Sequence, residues 1–269
     1  MTREGDGGRR AGRVGSGGAD TLPLERLRGG LVVSCQPVPG GPMDRTDIVV
    51  ALACAAEAGG ARGLRVAGAE NVRAVRDATT LSLIGLVKRP IAGRERITPE
   101  RRDVEALLEA GADVIAFDAT RRPRPATVLE LVAAIHAGGQ LAMADCADVE
   151  DGREALAAGA DVLGSTLSGY LDNVVSGRLE DAVPIGPDLA LVRALRTLSA
   201  HVLAEGRYNT PALAAEAMRC GAWAVVVGSA ITRAEHVTSW FADAVRGGAA
   251  GSPSTARDED DADDGDARR

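Results

Sequence analysis

Hydrophobic and polar positions form a repeated unit between about residues 24 and 246 of the chain. In each unit a helical stretch with one polar face ends in Gly or Ala-Gly, and a short apolar run follows at once, as in LLEAGADVIAF (107–117) and MRCGAWAVVVG (218–228). The glycine suits the end of a helix, where a residue with positive φ is needed. The apolar runs do not alternate with polar residues, which is typical of strands buried on both faces. The pattern therefore predicts helices and buried strands in regular alternation.

Eight apolar runs predict strands, at 31–35, 62–66, 82–87, 113–117, 140–144, 161–164, 201–204 and 223–227. Eight helical patterns accompany them, near 46–58, 69–77, 99–109, 126–137, 148–158, 188–199, 210–219 and 233–246. Capping residues support several of these helices, with Thr98 before Pro99, Asp148, and Thr210 before Pro211. Eight strands alternating with eight helices predict an α/β fold, a single-domain (β/α)8 TIM barrel. An open, doubly wound sheet is the alternative, but it rarely keeps so regular an alternation through eight units.

Both ends of the chain differ in composition from this barrel domain of residues 24–246. Residues 1–20 consist mainly of Gly, Arg and Ser, and residues 247–269 contain the acidic run DEDDADDGD. Such compositions bury too little apolar surface to fold, so we expect two disordered tails. The first segment also lacks the apolar stretch of a secretory signal.

Composition limits the classes of function. The 269 residues are 45% hydrophobic but only 2% aromatic, and the formal net charge is -7. An acidic chain with few aromatic side chains lacks the surface that nucleic acids require, and no apolar run reaches the roughly 18 residues of a membrane span. Four dispersed cysteines predict reduced thiols in a cytoplasmic protein. The three histidines lie far apart, so we expect neither a metal site nor a cofactor.

Polar residues follow the predicted strands at the ends where barrels of this class place their active sites. Seven of the eight strand ends carry a side chain that could bind a ligand or transfer a proton, and the eighth is a Gly-Ser turn. In chain order these positions are Gln36, Arg65, Lys88, Asp118, Asp145, Ser165 and Thr166, Glu205 with Arg207, and Gly228 with Ser229.

Lys88 is the most informative of these positions because it follows the apolar strand LSLIGLV. Desolvation and a neighbouring Arg65 or Arg89 would disfavour its ammonium form and make it usable as a base. A Schiff-base lysine is a second interpretation, and a surface lysine paired with an acid is a third. Glu205 is either a second acid/base or the partner that orients Arg207 or Lys88.

The loops after the last two strands predict a phosphate site, since barrels often bind phosphate there. Gly228 and Ser229 allow close approach of the backbone, and residues 230–233 could form the short helix that such sites use. Arg207 lies opposite this turn. We therefore expect a small phosphorylated ligand.

The sequence resembles the N-acetylmannosamine-6-phosphate 2-epimerase family. The matching segments are GGLVVSCQPVP (29–39), GLRVAG (63–68), IGLVKR (84–89), ADVIAFDATRRPRP (112–125), LAMADC (141–146), STLSGY (165–170), AEGRYNTP (204–211) and GAWAVVVGSAITR (221–233). The resemblance implies a cytoplasmic enzyme that converts N-acetylmannosamine 6-phosphate into N-acetylglucosamine 6-phosphate by inverting C2, in sialic-acid and amino-sugar catabolism, without a redox cofactor.

The resemblance also implies roles for individual residues. The two catalytic residues are Lys88 and Glu205; the sugar-binding residues are Gln36, Arg65 and Asp145; the phosphate-binding residues are Arg207, Gly228 and Ser229. Asp118 matches a family aspartate whose role stays open. Departures from the family pattern are the two tails, the RVAG segment, and residues 171–187, a loop that could cover the site.

Two other functions remain open from the residues alone. One is another phosphosugar barrel enzyme, such as an aldolase that forms a Schiff base on Lys88. The other is a barrel without activity that binds a phosphosugar, against which the presence of both Lys88 and Glu205 argues. Barrels of this kind often form homodimers, although no segment of the sequence identifies an interface.

Overall fold

Residues 21–170 and 186–250 are described by the computed structural model of the chain. Eight parallel strands close into a barrel in the order β1-β10-β9-β8-β7-β6-β3-β2, and two short strands form a separate hairpin. The barrel strands are β1 Leu31–Cys35, β2 Gly63–Ala67, β3 Ser82–Leu86, β6 Val114–Asp118, β7 Leu141–Asp145, β8 Val162–Gly164, β9 Val202–Glu205 and β10 Ala224–Val227; the hairpin strands are β4 Lys88–Ile91 and β5 Arg94–Ile97. The helices are α1 Leu22–Leu27, α2 Thr46–Ala58, α3 Ala69–Ala78, α4 Arg101–Glu109, α5 Val128–Ala137, α6 Val149–Ala157, α7 Leu189–Arg196, α8 Pro211–Arg219, α9 Ser229–Thr232 and α10 Ala234–Ala250.

The closed barrel confirms the predicted fold. Each of the eight predicted strands is present, and every strand end lies within one residue of its predicted position. The eight predicted helices are present as well, and the short helix expected after the last strand is α9. Asp148 and Thr210 cap their helices as predicted. The prediction for Thr98 is wrong, because α4 begins at Arg101 with Glu100 at its N-cap. The last helix continues to Ala250, beyond the predicted end at residue 246. The predicted tail of residues 1–20, most of the loop 171–187, and residues 251–269 lie outside the described residues.

Alternation along each strand divides the apolar residues between two cores. One set faces the surrounding helices, and the other fills the barrel interior, because successive side chains of a strand point to opposite faces. The interior set includes Ile84, Leu86, Val114, Ala116, Leu141, Met143, Val162, Leu203, Ala224 and Val226. Continuing the same parity to the carboxyl ends of the strands brings the predicted site residues to the inner side of the barrel mouth.

The hairpin was not predicted from the sequence. Its strands are short and carry three arginines and the lysine, so neither shows the apolar run of a buried strand. Ala92 and Gly93 connect them with φ values of 50° and 73°, which is the two-residue turn that suits a twisted hairpin. Its amino-terminal strand begins at Lys88, so the hairpin carries the lysine.

Thr98 attaches the hairpin to the barrel. This fully buried residue has φ 45°, a conformation that is unfavourable for a β-branched residue. Its N–H donates to Val87 O at 2.6 Å, and its hydroxyl donates to Ala116 O at 2.7 Å. These bonds compensate for the strain and fix the hairpin against β6.

Helix α1 closes the other end of the barrel. Leu24 and Leu27 are buried in the interior cluster, and the indole N–H of Trp223 donates to Leu24 O at 2.9 Å. A Cβ added to Gly63 would lie 2.3 Å from Leu27 Cδ2, so the helix packs directly on the foot of β2. None of the helices in the described part of the chain has both the length and the apolar character needed to cross a membrane.

We predict that Leu27→Ala lowers the free energy of unfolding by about 2–5 kcal/mol, since the cavity would lie inside a closed barrel. Leu22 is on the same helix but is 51% exposed, so Leu22→Ala should change this free energy by less than about 0.5 kcal/mol. Urea unfolding of the two variants measures both effects. Equal losses would mean that α1 does not close the barrel.

Candidate active site

Arg65 is the centre of the group of polar residues in the barrel mouth. Its side chain is 1% exposed, and it forms a bidentate pair with Asp145, with Nη2–Oδ2 at 2.6 Å and Nη1–Oδ1 at 3.0 Å. Nη1 also lies 2.5 Å from Glu205 Oε2. The planar guanidinium matches this arrangement, because its fixed fork of donors can bind two oxygens of one carboxylate and one of a second. Side chains from β2, β7 and β9 thus meet at one point, as the sequence predicted.

Glu205 differs from Asp145 in its electrostatic environment. Burial raises the pKa of its carboxyl from 4.5 to about 7, the positive charge of Arg65 opposes this rise, and the nearby charge of Asp145 adds to it. The charge of Lys88 also lowers the pKa of Glu205, which places the lysine within electrostatic reach. A carboxyl with a pKa near 7 populates both protonation states at neutral pH. Glu205 is therefore suited to acid/base chemistry.

Lys88 lies at the start of the hairpin, with 28% of its side chain exposed. Its Nζ is 3.1 Å from Oε1 of Glu95, which is on the opposite strand of the hairpin and is 53% exposed. Arg89, which the sequence suggested as a neighbour of the amine, instead pairs with Asp103 on α4. Since Glu95 is more than half exposed, its pair with Lys88 is accessible to solvent and to a competing ligand.

Lys88 is the only lysine of the chain, and the other 30 of the 31 basic residues are arginines. Arginine can replace lysine wherever only a positive charge is needed, but its guanidinium does not lose a proton in proteins. A single lysine at a barrel mouth is consequently a second signal, independent of its position after an apolar strand, that the amine itself is needed.

Thr166 also belongs to this site, although its position after a predicted strand did not indicate a role. Its Oγ1 lies 2.6 Å from Asp145 Oδ1 and 3.1 Å from Glu205 Oε2. The alternation of side chains along a strand could have identified Thr166. Val162 faces the barrel interior, and Gly164 and Thr166 follow it at intervals of two residues, so they point to the same side.

Gln36 lies at the end of β1 and is 9% exposed. Its Nε2 donates to Ser34 Oγ at 2.8 Å, and its backbone carbonyl accepts from Arg233 Nε at 2.9 Å. Arg233 directly follows the short helix α9, and its other guanidinium nitrogens form no hydrogen bond to a described residue. This arginine was not among the predicted site residues, although it ends the segment GSAITR.

Gly228 forms the turn between β10 and α9, and Ser229 is the first residue of that helix. Thr232 fixes this turn, because its hydroxyl lies 2.7 Å from Ser34 O and 3.2 Å from Gly228 O. Gly228 is close to the first strand, since an added Cβ would lie 3.4 Å from Ser34 Cβ. The turn therefore presents backbone to the mouth at the junction of β10 and β1.

Arg207 lies next to this turn in the barrel but is already bonded to protein atoms. Its Nε donates to Gly186 O at 2.7 Å and its Nη1 donates to Ser168 O at 2.8 Å. The guanidinium also lies over the ring of Tyr170, 5.2 Å from the centroid. Arg207 therefore holds the two described ends of the loop that follows β8, and its Nη2 forms no hydrogen bond to the residues that the structure describes.

Asp118 points into the mouth beside Asp145 but is enclosed by its own loop. The carboxylate is fully buried and accepts from the N–H and the hydroxyl of Thr120 at 2.9 and 2.6 Å, and from Arg122 at 2.5 Å. Arg96 and Arg124 lie 3.9 Å away. With so many donors, Asp118 is an anchor for the surrounding arginines and the hairpin. Within the described ranges, no group of three or more His, Cys, Asp or Glu side chains could hold a metal ion.

The arrangement combines the groups needed to move a proton at a carbon beside a carbonyl. The amine of Lys88 lies at the mouth of the barrel, close enough for its charge to act on the carboxyl of Glu205. Arg65 supplies a fixed positive charge next to Asp145 and Glu205. The Gly228–Ser229 turn provides backbone for an anionic end of a ligand. Proton transfer is consequently the chemistry that this geometry supports.

Comparison with protein families identifies one match, over residues 49–247, to the family described as "Putative N-acetylmannosamine-6-phosphate epimerase". Two curated relatives are described as "Putative N-acetylmannosamine-6-phosphate 2-epimerase". The protein of Klebsiella pneumoniae (strain 342) is 54% identical and that of Yersinia pseudotuberculosis serotype O:1b is 52% identical, each over 82% of this chain and 92% of the relative.

Solved structures give the same result. The N-acetylmannosamine-6-phosphate 2-epimerase from Clostridium perfringens superimposes with a TM-score of 0.77 and 35% identity, over 88% of this chain and 100% of that chain. A thiamine phosphate pyrophosphorylase from Pyrococcus furiosus superimposes with a TM-score of 0.54 and 20% identity, over 80% of this chain and 92% of that one. At that identity the second match supports the barrel fold alone.

We predict that Glu205→Gln becomes more stable relative to the wild type as the pH rises. Between pH 4.5 and about 7 the folded wild type holds a proton on Glu205 that the unfolded chain has lost, so its stability falls with increasing pH. The variant has no such titration. From pH 5 to pH 8 the difference in free energy of unfolding should therefore move in the variant's favour by on the order of 2 kcal/mol.

Urea unfolding at the two pH values measures this difference. Glu130→Gln is the matched control, because bonds from the backbone and hydroxyl of Thr127 lower the pKa of Glu130, so its effect should be constant above pH 5. A difference for Glu205→Gln that stays constant over the interval would show that Glu205 has no raised pKa.

Proposed function

Because the chain belongs to the N-acetylmannosamine-6-phosphate epimerase family, whose members are carbohydrate epimerases, we propose that it inverts C2 of N-acetylmannosamine 6-phosphate to give N-acetylglucosamine 6-phosphate. The observation that carries the proposal is the convergence of Lys88, Glu205 and Arg65 in the mouth of the barrel. Membership of the family does not by itself identify a group that could act as a base. These side chains are groups that can accept and donate a proton.

The reaction begins with proton removal from C2 of the open-chain sugar. This proton is acidic because C2 lies next to the C1 aldehyde, so its removal gives an enolate. Return of a proton to the opposite face inverts C2 without net oxidation or loss of any group. Lys88 in its neutral form is the proposed acceptor of the C2 proton. The enolate then turns its other face toward the resulting ammonium group, which returns a proton there, and the absence of any other lysine supports this role.

Glu205 is the proposed second acid/base of the reaction. Its pKa of about 7 allows it to donate a proton during ring opening and accept one during ring closure, or to exchange a proton with Lys88. Both terminal nitrogens of Arg65 are bonded to carboxylates. Arg65 is therefore proposed to orient Asp145 and Glu205 and to stabilise the enolate through its charge. Gln36 and Asp145 are the proposed partners of the sugar's amide and hydroxyl groups.

The phosphate is proposed to bind at the turn of Gly228 and Ser229, where the backbone can approach closely. Arg207 is the predicted cation of this site, and its Nη2 is the atom available for it. Arg233 is an additional candidate, because its guanidinium is half-buried beside Gln36 and only its Nε is bonded within the described part of the chain. Charge-assisted bonds from a guanidinium are the usual means of holding a phosphate.

The biological setting is part of the proposal and rests on the resemblance to the epimerase family. We propose that the protein acts in the cytoplasm, in the breakdown of sialic acid and other amino sugars, on a small phosphosugar and without a cofactor. Its four cysteines form no disulfide with one another, as a reducing compartment requires. The homodimer suggested by the barrel class stays a prediction.

We predict that the wild type incorporates one deuteron at C2 during epimerisation in D2O, and that Lys88→Ala lowers this exchange at least a thousandfold because the base is lost. NMR of the substrate's C2 position measures both inversion and exchange. Glu95→Gln is the matched control, since it removes only the exposed partner of the amine and should retain exchange within about tenfold. Exchange at C2 that persists in Lys88→Ala would remove the lysine from the mechanism.

Borohydride added with substrate separates the epimerase from a Schiff-base aldolase. The chain has one lysine, so covalent labelling at Lys88 would support the aldolase and contradict our proposal. A wild type that binds the phosphosugar without inversion or exchange would identify a barrel without activity.

We predict that Arg233→Met raises KM for the phosphosugar about tenfold or more while kcat changes less than about threefold, because a group that binds the remote phosphate contributes equally before and during the reaction. Arg246→Met is the control, since Arg246 is exposed on α10 and pairs only with Asp243 among the described residues. Steady-state kinetics of the variants measure both constants. An unchanged KM would exclude Arg233 from the phosphate site.

A further inference from the structure

Glu205 is the last residue of β9, and the chain leaves the strand conformation directly after it. Gly206 and Arg207 follow with φ values of 110° and 60°. The neighbouring strand β8 has three residues, Val162–Gly164, and is the shortest strand of the barrel. The backbone of the residue proposed as acid/base therefore lies where the ladder between β8 and β9 ends.

The hydroxyl of Ser165 takes the place of the next bond in this ladder. The Ser165 N–H donates to Leu203 O at 3.3 Å, and in a regular parallel pair the Ser165 carbonyl would then accept the N–H of Glu205. Instead, the N–H of Glu205 donates to Ser165 Oγ at 3.0 Å, and the hydroxyl donates to Glu205 O at 2.9 Å. One side chain thus binds both backbone groups of Glu205.

The two bonds suit a hydroxyl, which has one proton to donate and lone pairs that accept. Ser165 is 2% exposed, so water has little access to the backbone groups that it binds. A buried N–H or C=O without a partner costs free energy. If the hydroxyl were removed, the backbone of Glu205 would have to move to find other partners.

The carboxyl of Glu205 is bonded through one of its two oxygens. Oε2 accepts from Arg65 Nη1 at 2.5 Å and lies 3.1 Å from the hydroxyl of Thr166. Oε1 forms no hydrogen bond to a residue that the structure describes, and the side chain is 14% exposed. Oε1 is therefore the oxygen available to a substrate, and its position depends on where the backbone of Glu205 is held.

We propose that Ser165 is a positioning residue, which fixes the backbone of Glu205 so that Oε1 meets the substrate where the proton is transferred. Ser165 acts through Glu205, because its Oγ is buried and bonded to backbone groups. A misplacement of about 1 Å can slow a reaction about a hundredfold. The inference rests on the proposed function, since the position of Oε1 matters for activity only if Glu205 transfers protons.

The test compares variants of Ser165 in the full chain by steady-state kinetics with N-acetylmannosamine 6-phosphate. We expect Ser165→Ala to lower kcat about ten- to a hundredfold. KM should change less than about twofold, because the groups proposed to bind the sugar and the phosphate are unchanged. Ser165→Thr keeps the hydroxyl and should retain kcat within about threefold of the wild type.

Leu27→Ala is the matched control for a loss of stability. Its cavity lies at the opposite end of the barrel, so it should destabilise the fold and leave kcat within about twofold of the wild type. Urea unfolding identifies the conditions in which all variants are folded. A kcat of Ser165→Ala within twofold of the wild type would mean that Ser165 only stabilises the barrel. An equal decrease in Ser165→Thr would assign the effect to packing, and either result would overturn the proposal.

Hydrogen exchange of the Glu205 amide is a second readout. Measured by ¹⁵N NMR in D2O, this amide should exchange at least about tenfold faster in Ser165→Ala than in the wild type or Ser165→Thr, because it has lost its acceptor. An unchanged rate would overturn the proposal. If Ser165→Ala does not fold, Ser165→Cys replaces it, since a thiol is a weak donor and acceptor, and changes in the same directions are expected.

Amide exchange needs no enzymatic activity, so the two proposals can fail separately. A wild type that neither inverts nor exchanges C2 would refute the proposed function, while the Glu205 amide would still show whether Ser165 holds this backbone. An active wild type whose kcat and amide exchange are insensitive to Ser165→Ala would refute only the role of Ser165.

Discussion

The buried pair of Arg65 and Asp145 is the interaction on which the site depends. A guanidinium with 1% exposure has lost its hydration, so it is tolerated only because carboxylates replace the lost water. Removing one member would leave the other charge buried without compensation, at a cost of about 3–5 kcal/mol. The barrel accommodates this buried ion pair because Arg65 and Asp145 lie on β2 and β7, whose positions are fixed by the closed sheet. The properties of Glu205 follow from it, because a second carboxylate beside one compensated pair retains a proton more readily.

The position of the lysine depends on a different set of contacts. Lys88 is carried by a hairpin that is held by Thr98 against β6 and by Arg96, whose Nε donates to Pro123 O at 3.3 Å and lies 3.9 Å from Asp118. Asp118 therefore helps to hold, through Arg96, the hairpin that carries Lys88. The two residues proposed as base and acid are supported by separate parts of the molecule, Lys88 by the hairpin and Glu205 by the barrel strands.

The fold was predictable because its units repeat and the strands are continuous apolar runs. The convergence of Arg65, Asp145 and Glu205 was predictable too, since parallel strands of a barrel share one carboxyl edge. The hairpin was not, because its stability comes from one tight turn and from Thr98, a contact between segments that no local pattern encodes. The bonds of Arg207 to Ser168 and Gly186 were also beyond prediction, as the sequence does not tell which of several arginines reaches a backbone carbonyl. Thr166 could have been found from strand parity alone.

A chain with one lysine has one side-chain amine. Apart from the terminal α-amino group, reagents that acylate, carbamylate or glycate amines have a single target, and it lies in the mouth of the barrel. Each molecule would therefore carry at most one adduct on a side-chain amine. The rate at which this adduct forms would measure how accessible the amine is. Exclusive use of arginine elsewhere thus limits the modification of side-chain amines to one event for each molecule.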